Sequence, residues 1–219
     1  MGICIAGLGY LCIWLSLISV NFKYALSFIW SAKCVVGLLI MPFLERLYFG
    51  GDATYYFEAA HTVMENPPTF GDGTQVIMLL TFLIQSIFKL LQLPVSFHGV
   101  KLCFSFIGLI ASFVYYRAAC RILKTEKIAM LYVLGLFPSI LYWSSIFGKD
   151  PVTMLGFGLF ALGMSGWVNK PNLIDFLWGI LGIAIASAIR IWAGLFMMIA
   201  VLAVAVTQTK GIFSRILIS

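Results

Sequence analysis

Acidic residues are scarce in this chain: eight Asp and Glu among 219 residues, with charged residues only 10% of the whole. With 62% hydrophobic residues and a mean hydropathy of +1.05, that scarcity excludes an ordinary soluble domain. The five cysteines (Cys4, Cys12, Cys34, Cys103, Cys120) have no metal-ligand spacing and lie in or beside apolar runs, so they read as small buried hydrophobes. No glycine-rich nucleotide loop occurs. No basic stretch precedes the first apolar run and no clear small-x-small cleavage site follows it, so residues 3–20 read as a retained span. There is no internal repeat and no low-complexity tract. The net charge of +6 is spread over short loops, which argues against a nucleic-acid partner and for membrane topology.

What is present is a series of apolar runs. Stretches near the ~18–20 residues that cross ~30 Å of hydrocarbon fall at 3–20, 27–44, 98–117, 128–146, 151–168, 174–190 and 192–208. The expectation is an all-α fold, a single polytopic transmembrane bundle of about seven spans over residues 1–219 in a lipid bilayer. Arg117, Arg121, Lys124 and Lys127 crowd one loop, Lys170 lies in the next loop on that side, and Lys210 and Arg215 lie in the tail. Cytoplasmic basic loops set the orientation. Lys23 is then inside, and the N-terminus, the 45–97 region, Lys149-Asp150 and Arg190 are outside. This topology requires the apolar segment 76–93 to lie along the interface, which its polar Gln85, Ser86 and Lys89 permit. A full crossing would move Asp52 to the other face.

On that reading six of the eight acids (Glu45, Asp52, Glu58, Glu65, Asp72, Asp150) share the outer face. Ionised groups beside a bilayer are functional candidates. Gly50-Gly51 break the chain after Glu45-Arg46, and Asp52 opens an amphipathic helix that runs toward Glu65 and stops at Pro67-Pro68. Asp52 is either a helix cap or a general base or metal ligand. Glu58 and His61, an i, i+3 pair, either face that site with Tyr55 or stand on a solvated face. In the second loop Pro138 kinks or ends an apolar span, and Ser139, Ser144 and Ser145 can satisfy the freed backbone. Tyr142 and Trp143 suit an interface belt. Asp150 is a second cap candidate before Pro151, and Lys149 supplies a mobile cation suited to a lipid phosphate. Arg190 is a snorkelling anchor or a bidentate phosphate clamp. Lys33 within its span and Lys101 beside His98 can add positive charge to the same cavity, although anchoring also explains Lys101.

The loop Gly51-Asp52-Ala53-Thr54-Tyr55-Tyr56, the pattern Pro138 … Ser144-Ser145 … Asp150, and Tyr115-Tyr116-Arg117 before a basic turn together resemble the GT-C superfamily of membrane glycosyltransferases. That family includes protein mannosyltransferases, lipid A aminoarabinose transferases and oligosaccharyltransferases, and the resemblance covers roughly residues 27–200. It implies a hexosyl- or pentosyltransferase with a polyprenyl-phosphate-linked sugar as donor and an acceptor hydroxyl on a glycan, lipid or protein. Asp52 would be the catalytic carboxylate, Asp150 the second-loop acid for acceptor or metal, and Lys149 and Arg190 the donor-phosphate ligands. Tyr55, Glu58, His61 and Ser145 would stand at the acceptor or behind it. An ion shared by Asp52 and Asp150 would be Mg²⁺ or Mn²⁺. The implied place is a bacterial plasma membrane, with the site on its periplasmic or extracellular face. The chain is shorter than most members, which implies a truncated enzyme, a minimal module or a second membrane subunit. Two other classes remain beside this one: a polymerase or ligase of undecaprenyl-diphosphate glycans, and a transporter or flippase-like subunit.

Overall fold

The apolar runs fold into helices, and no strand occurs among the described residues. The computed structural model describes residues 2–47, 51–65, 67, 69–169 and 172–203. Gly50, Pro68, Lys170, Pro171, Lys210, Arg215 and the end of the 192–208 run lie outside the described residues. The helices are α1 (Gly2–Leu15), α2 (Val20–Val35), α3 (Met41–Leu47), α4 (Gly51–Glu58), α5 (Gly73–Leu90), α6 (Phe97–Leu123), α7 (Ile128–Leu136), α8 (Pro138–Trp143), α9 (Lys149–Asn169), α10 (Leu173–Ile189) and α11 (Ile191–Ala203). A π-helical turn, Val36–Ile40, joins α2 to α3 in one rod, and a 3₁₀ turn, Ala59–Met64, continues α4.

Among the described residues four helices are long and apolar enough to cross a membrane: Val20–Leu47, Gly73–Leu90, Phe97–Leu123 and Lys149–Val168. These four alone do not reach the expected count of about seven spans, and three of the runs differ in length or course from the expectation. Residues 3–20 give a helix of only 14 residues, because the chain turns after Leu15. The 27–44 run extends to the 28-residue rod Val20–Leu47. The 128–146 run is broken at Phe137. Pro138 has no N–H to donate and forces the preceding residue into an extended conformation, here φ −54° and ψ 124°. After α8 the backbone stays non-helical until Lys149.

Small residues set the packing. Gly156 and Gly163 of α9 meet Ala186 and Gly179 of antiparallel α10, a close approach typical of helices in lipid. α6 and α9 run side by side in one direction: Phe104 packs on Phe147 near their starts, and Arg121 donates to Leu162 O at 3.0 Å near their ends. α1 lies antiparallel on α2, with Trp30 Nε1 donating to Ala6 O at 3.0 Å and Lys23 to Trp14 O at 2.8 Å.

The bundle therefore has two chemically distinct ends. At one, Phe22 of α2 packs on Tyr116 beside Arg117 and Arg121. The two acids found there are neutralised: Glu126 pairs with Arg117 at 3.2 Å and Asp175 with Arg121 at 2.6 Å. At the other end lie Glu45, the starts of α6 and α9 and the end of α10. Lys23 and Glu45 near the two ends of the rod are separated by roughly 33 Å of helix rise, about one hydrocarbon thickness.

Both ends of α5 lie at this second, acid end. Thr74 in its first turn touches Lys149 at 3.0 Å, and Gly73 sits against the backbone of Ile189. In its last turns Gln85 donates to Phe57 O at 3.0 Å, and Phe57 packs on Phe97 at the start of α6. α5 thus lies across the end of the bundle, although it is long and apolar enough to cross.

Candidate functional site

Gly51 takes φ +57°, a left-handed conformation glycine adopts freely, and lets the chain turn into α4. Asp52 follows in the first helical turn and is exposed. Four residues on, Tyr56 projects from the same face. It is buried, packs its ring on Phe147 and directs its hydroxyl at Asp52 Oδ2 in a long contact of 3.4 Å. Burial first, then the charge of Asp52 and the hydrogen bond to it, and last the charge of Asp150 push the Tyr56 phenol up to about 12 against an opposing hydrogen bond from Thr74. Tyr56 is therefore a permanent donor.

Asp72 caps α5, accepting from the backbone N–H of Thr74 at 3.0 Å and Gln75 at 3.2 Å. This fixes Thr74, whose hydroxyl meets Tyr56 on one side and accepts from Lys149 Nζ at 3.0 Å on the other. Asp52, Tyr56, Thr74 and Lys149 form one polar chain across three helices.

Arg190 terminates α10 with an extended backbone, φ −143° and ψ 98°. Its Nη2 donates to Asp150 Oδ1 at 2.8 Å, and its guanidinium lies 5.7 Å from the Trp192 ring. The side chains of Arg190 and Asp150 are 35% and 25% exposed, so the pair is wet and holds together with no more than about 1 kcal/mol. An incoming anion can take Arg190 from Asp150 at that cost.

Of the residues singled out in the sequence, Asp52, Lys149, Asp150 and Arg190 come together, joined by Tyr56 and Thr74. Tyr55 is exposed with its ring edge on Tyr56. Glu58 and His61 are exposed, one ending α4 and the other on the 3₁₀ turn. Ser145 is buried: its hydroxyl donates to Leu141 O at 2.6 Å, and its carbonyl accepts from Ser105 Oγ at 2.7 Å. It holds the chain break and does not face solvent. Lys101 is fully buried against Glu45 at 2.6 Å, so its charge is spent inside the protein.

As ligands for Mg²⁺ or Mn²⁺ the carboxylates fit poorly. Asp150 is committed to Arg190 and adjoins Lys149, while Asp52 receives the Tyr56 hydroxyl. No group of three or more His, Cys, Asp or Glu suited to a metal gathers among the described residues.

Sequence reasoning missed Tyr56, Thr74, Asp72 and the Glu45–Lys101 pair as site and support. The i, i+4 spacing of Asp52 and Tyr56 was a readable signal. Thr74 to Lys149 spans 75 residues and left none.

No protein-family model matches the chain, and neither a curated protein nor a solved structure matches it.

Proposed function

We propose that this chain is a membrane glycosyltransferase of the GT-C kind, moving a hexose or pentose from a polyprenyl-phosphate donor to an acceptor hydroxyl with inversion. The observation that carries the reading is that one exposed carboxylate, Asp52, which receives the Tyr56 hydroxyl, and two cations, Lys149 on Thr74 and Arg190 on Asp150, stand at the acid end of an apolar bundle. In this reading the acid end faces outward, α4 and α5 lie along the boundary of the bilayer, and the shorter apolar helices bring the crossings to about seven. The acceptor belongs to a glycan, lipid or protein, a second membrane subunit completes the enzyme if one is needed, and the membrane is a bacterial plasma membrane.

The chemistry follows from the charges. Asp52 takes the proton of the acceptor hydroxyl as its oxygen attacks the anomeric carbon. The bond from that carbon to the phosphate oxygen breaks, and the phosphate leaves with the electron pair. Lys149 and Arg190 meet the charge growing on it, as donors placed before the reaction do. Tyr56, held protonated, keeps Asp52 oriented.

The test is transfer from a panel of radiolabelled polyprenyl-phosphate sugars by membranes containing the wild type or Arg190→Met. Losing one preorganised donor lowers kcat/KM about 100-fold or more. Asp150→Asn, which frees Arg190, costs less. Equal transfer by wild type and Arg190→Met would remove the phosphate role. No transfer from any donor would remove the reading of a self-sufficient transferase and leave a partner-dependent or non-catalytic subunit.

A further inference from the structure

Lys33 lies mid-rod in α2 and is fully buried, and it makes no ion pair among the described residues. Its amine donates to Ser144 Oγ and, at 3.4 Å, to Ser144 O. A cation at that depth is costly, and an apolar side chain of similar length would fill the same space, so packing does not account for it. Ser144 is the C-cap of α8, where a lysine satisfies terminal carbonyls and meets the negative end of the helix. The residues that follow, up to Gly148, have no helical ladder, yet Ser144, Ser145, Phe147 and Gly148 are buried. Such backbone survives at membrane depth only where protein groups satisfy it. Two side chains do so: Lys33 on α2, and Ser105 on α6, which donates to Ser145 O. The π-helical turn begins three residues after Lys33, and its Gly37 lies beside Ser105 and Ser145 O. Lys149 follows Ser145 by four residues.

We propose that Lys33 is the positioning residue for the Lys149–Asp150–Arg190 cluster: from the bundle interior it ties the broken segment 144–148 to α2 and so fixes where Lys149 and Asp150 stand. The proposal rests on reading that cluster as the functional site, but its test does not depend on transfer.

The reporter is Gly148→Cys, made in the full chain after its five native cysteines are replaced by alanine. A Cβ there meets nothing within 4 Å, so the thiol is accommodated. Its rate of modification by a charged maleimide reads how often the segment opens. Removing both hydrogen bonds with Lys33→Met raises that rate about tenfold or more, while Lys33→Arg, which keeps a cation and donors, restores slow labelling. Ser144→Ala keeps the carbonyl and gives a rise of about threefold. A purely space-filling lysine predicts no change at Gly148 in any of them. Parental labelling in a Lys33→Met protein that extracts from membranes monodisperse overturns the proposal. If Lys33→Met does not fold, Ser144→Ala decides: a rise supports the tie, and no rise overturns it. Parallel transfer assays separate the two ideas. Faster labelling with no transfer even by the wild type leaves the tie standing and sinks the transferase. Unchanged labelling beside active wild type does the reverse.

Discussion

Asp52→Asn is expected to lower sugar transfer by about two to four orders of magnitude, the span that a positioned general base contributes. The substitution isolates the proton-accepting role. Asn and Asp are near-equal at helix starts, so the first turn of α4 keeps its support. The amide oxygen still accepts from Tyr56, which lies four residues on and stays protonated because burial, the largest cause of its raised pKa, is unchanged. What is lost is the ability to take a proton from the acceptor. Tyr56→Phe is the companion: the base remains and only its orientation suffers, so transfer falls about tenfold, the weight of one long hydrogen bond. The measurement is initial transfer rate in membranes matched for protein amount. Equal rates for wild type and Asp52→Asn would reduce Asp52 to a helix-start residue, and a Tyr56→Phe loss as large as the Asp52→Asn loss would transfer the proton role to the phenol.

The helices were legible from the apolar runs. Where a run breaks or bends was not, because hydropathy records what a run is made of and not where it goes. The run 128–146 is apolar throughout, yet Pro138 breaks it. The break then persists because Lys33 and Ser105, distant in sequence, satisfy Ser144 and Ser145. α5 shows the converse. Its 18 residues are enough to cross, but Thr74 and Gln85 tie both its ends to the acid end of the bundle. The site followed the same rule. Asp52, Lys149, Asp150 and Arg190 stood out as costly charges in an apolar chain. Thr74, an ordinary residue in a helix start, bridges them only through tertiary contact. Lys101 stood out equally in the sequence and proved to be neutralised by Glu45, 56 residues away.

Gly108→Val is expected to lower the thermal midpoint of the extracted protein by about 10 °C or to prevent its accumulation in the membrane. A Cβ at Gly108 would collide with the backbone carbonyl of Ser144. A flexible side-chain tip can move aside, but this carbonyl is held by Lys33, and the next one by Ser105. α6 must therefore shift away from the broken segment. The shift separates Phe104 from Phe147, whose rings lie 4.8 Å apart, and strains both hydrogen bonds. Overpacking of this kind costs about 1–3 kcal/mol before those contacts are counted, and each hydrogen bond adds about 1 kcal/mol. Gly7→Ala is the control, since a Cβ there meets nothing within 4 Å and alanine favours helix by up to about 1 kcal/mol over glycine. Its midpoint should stay or rise slightly. A Gly108→Val protein that melts with the wild type would mean that α6 and the 144–148 segment do not touch as described, and the support of Lys149 and Asp150 from the bundle interior would fall with that contact.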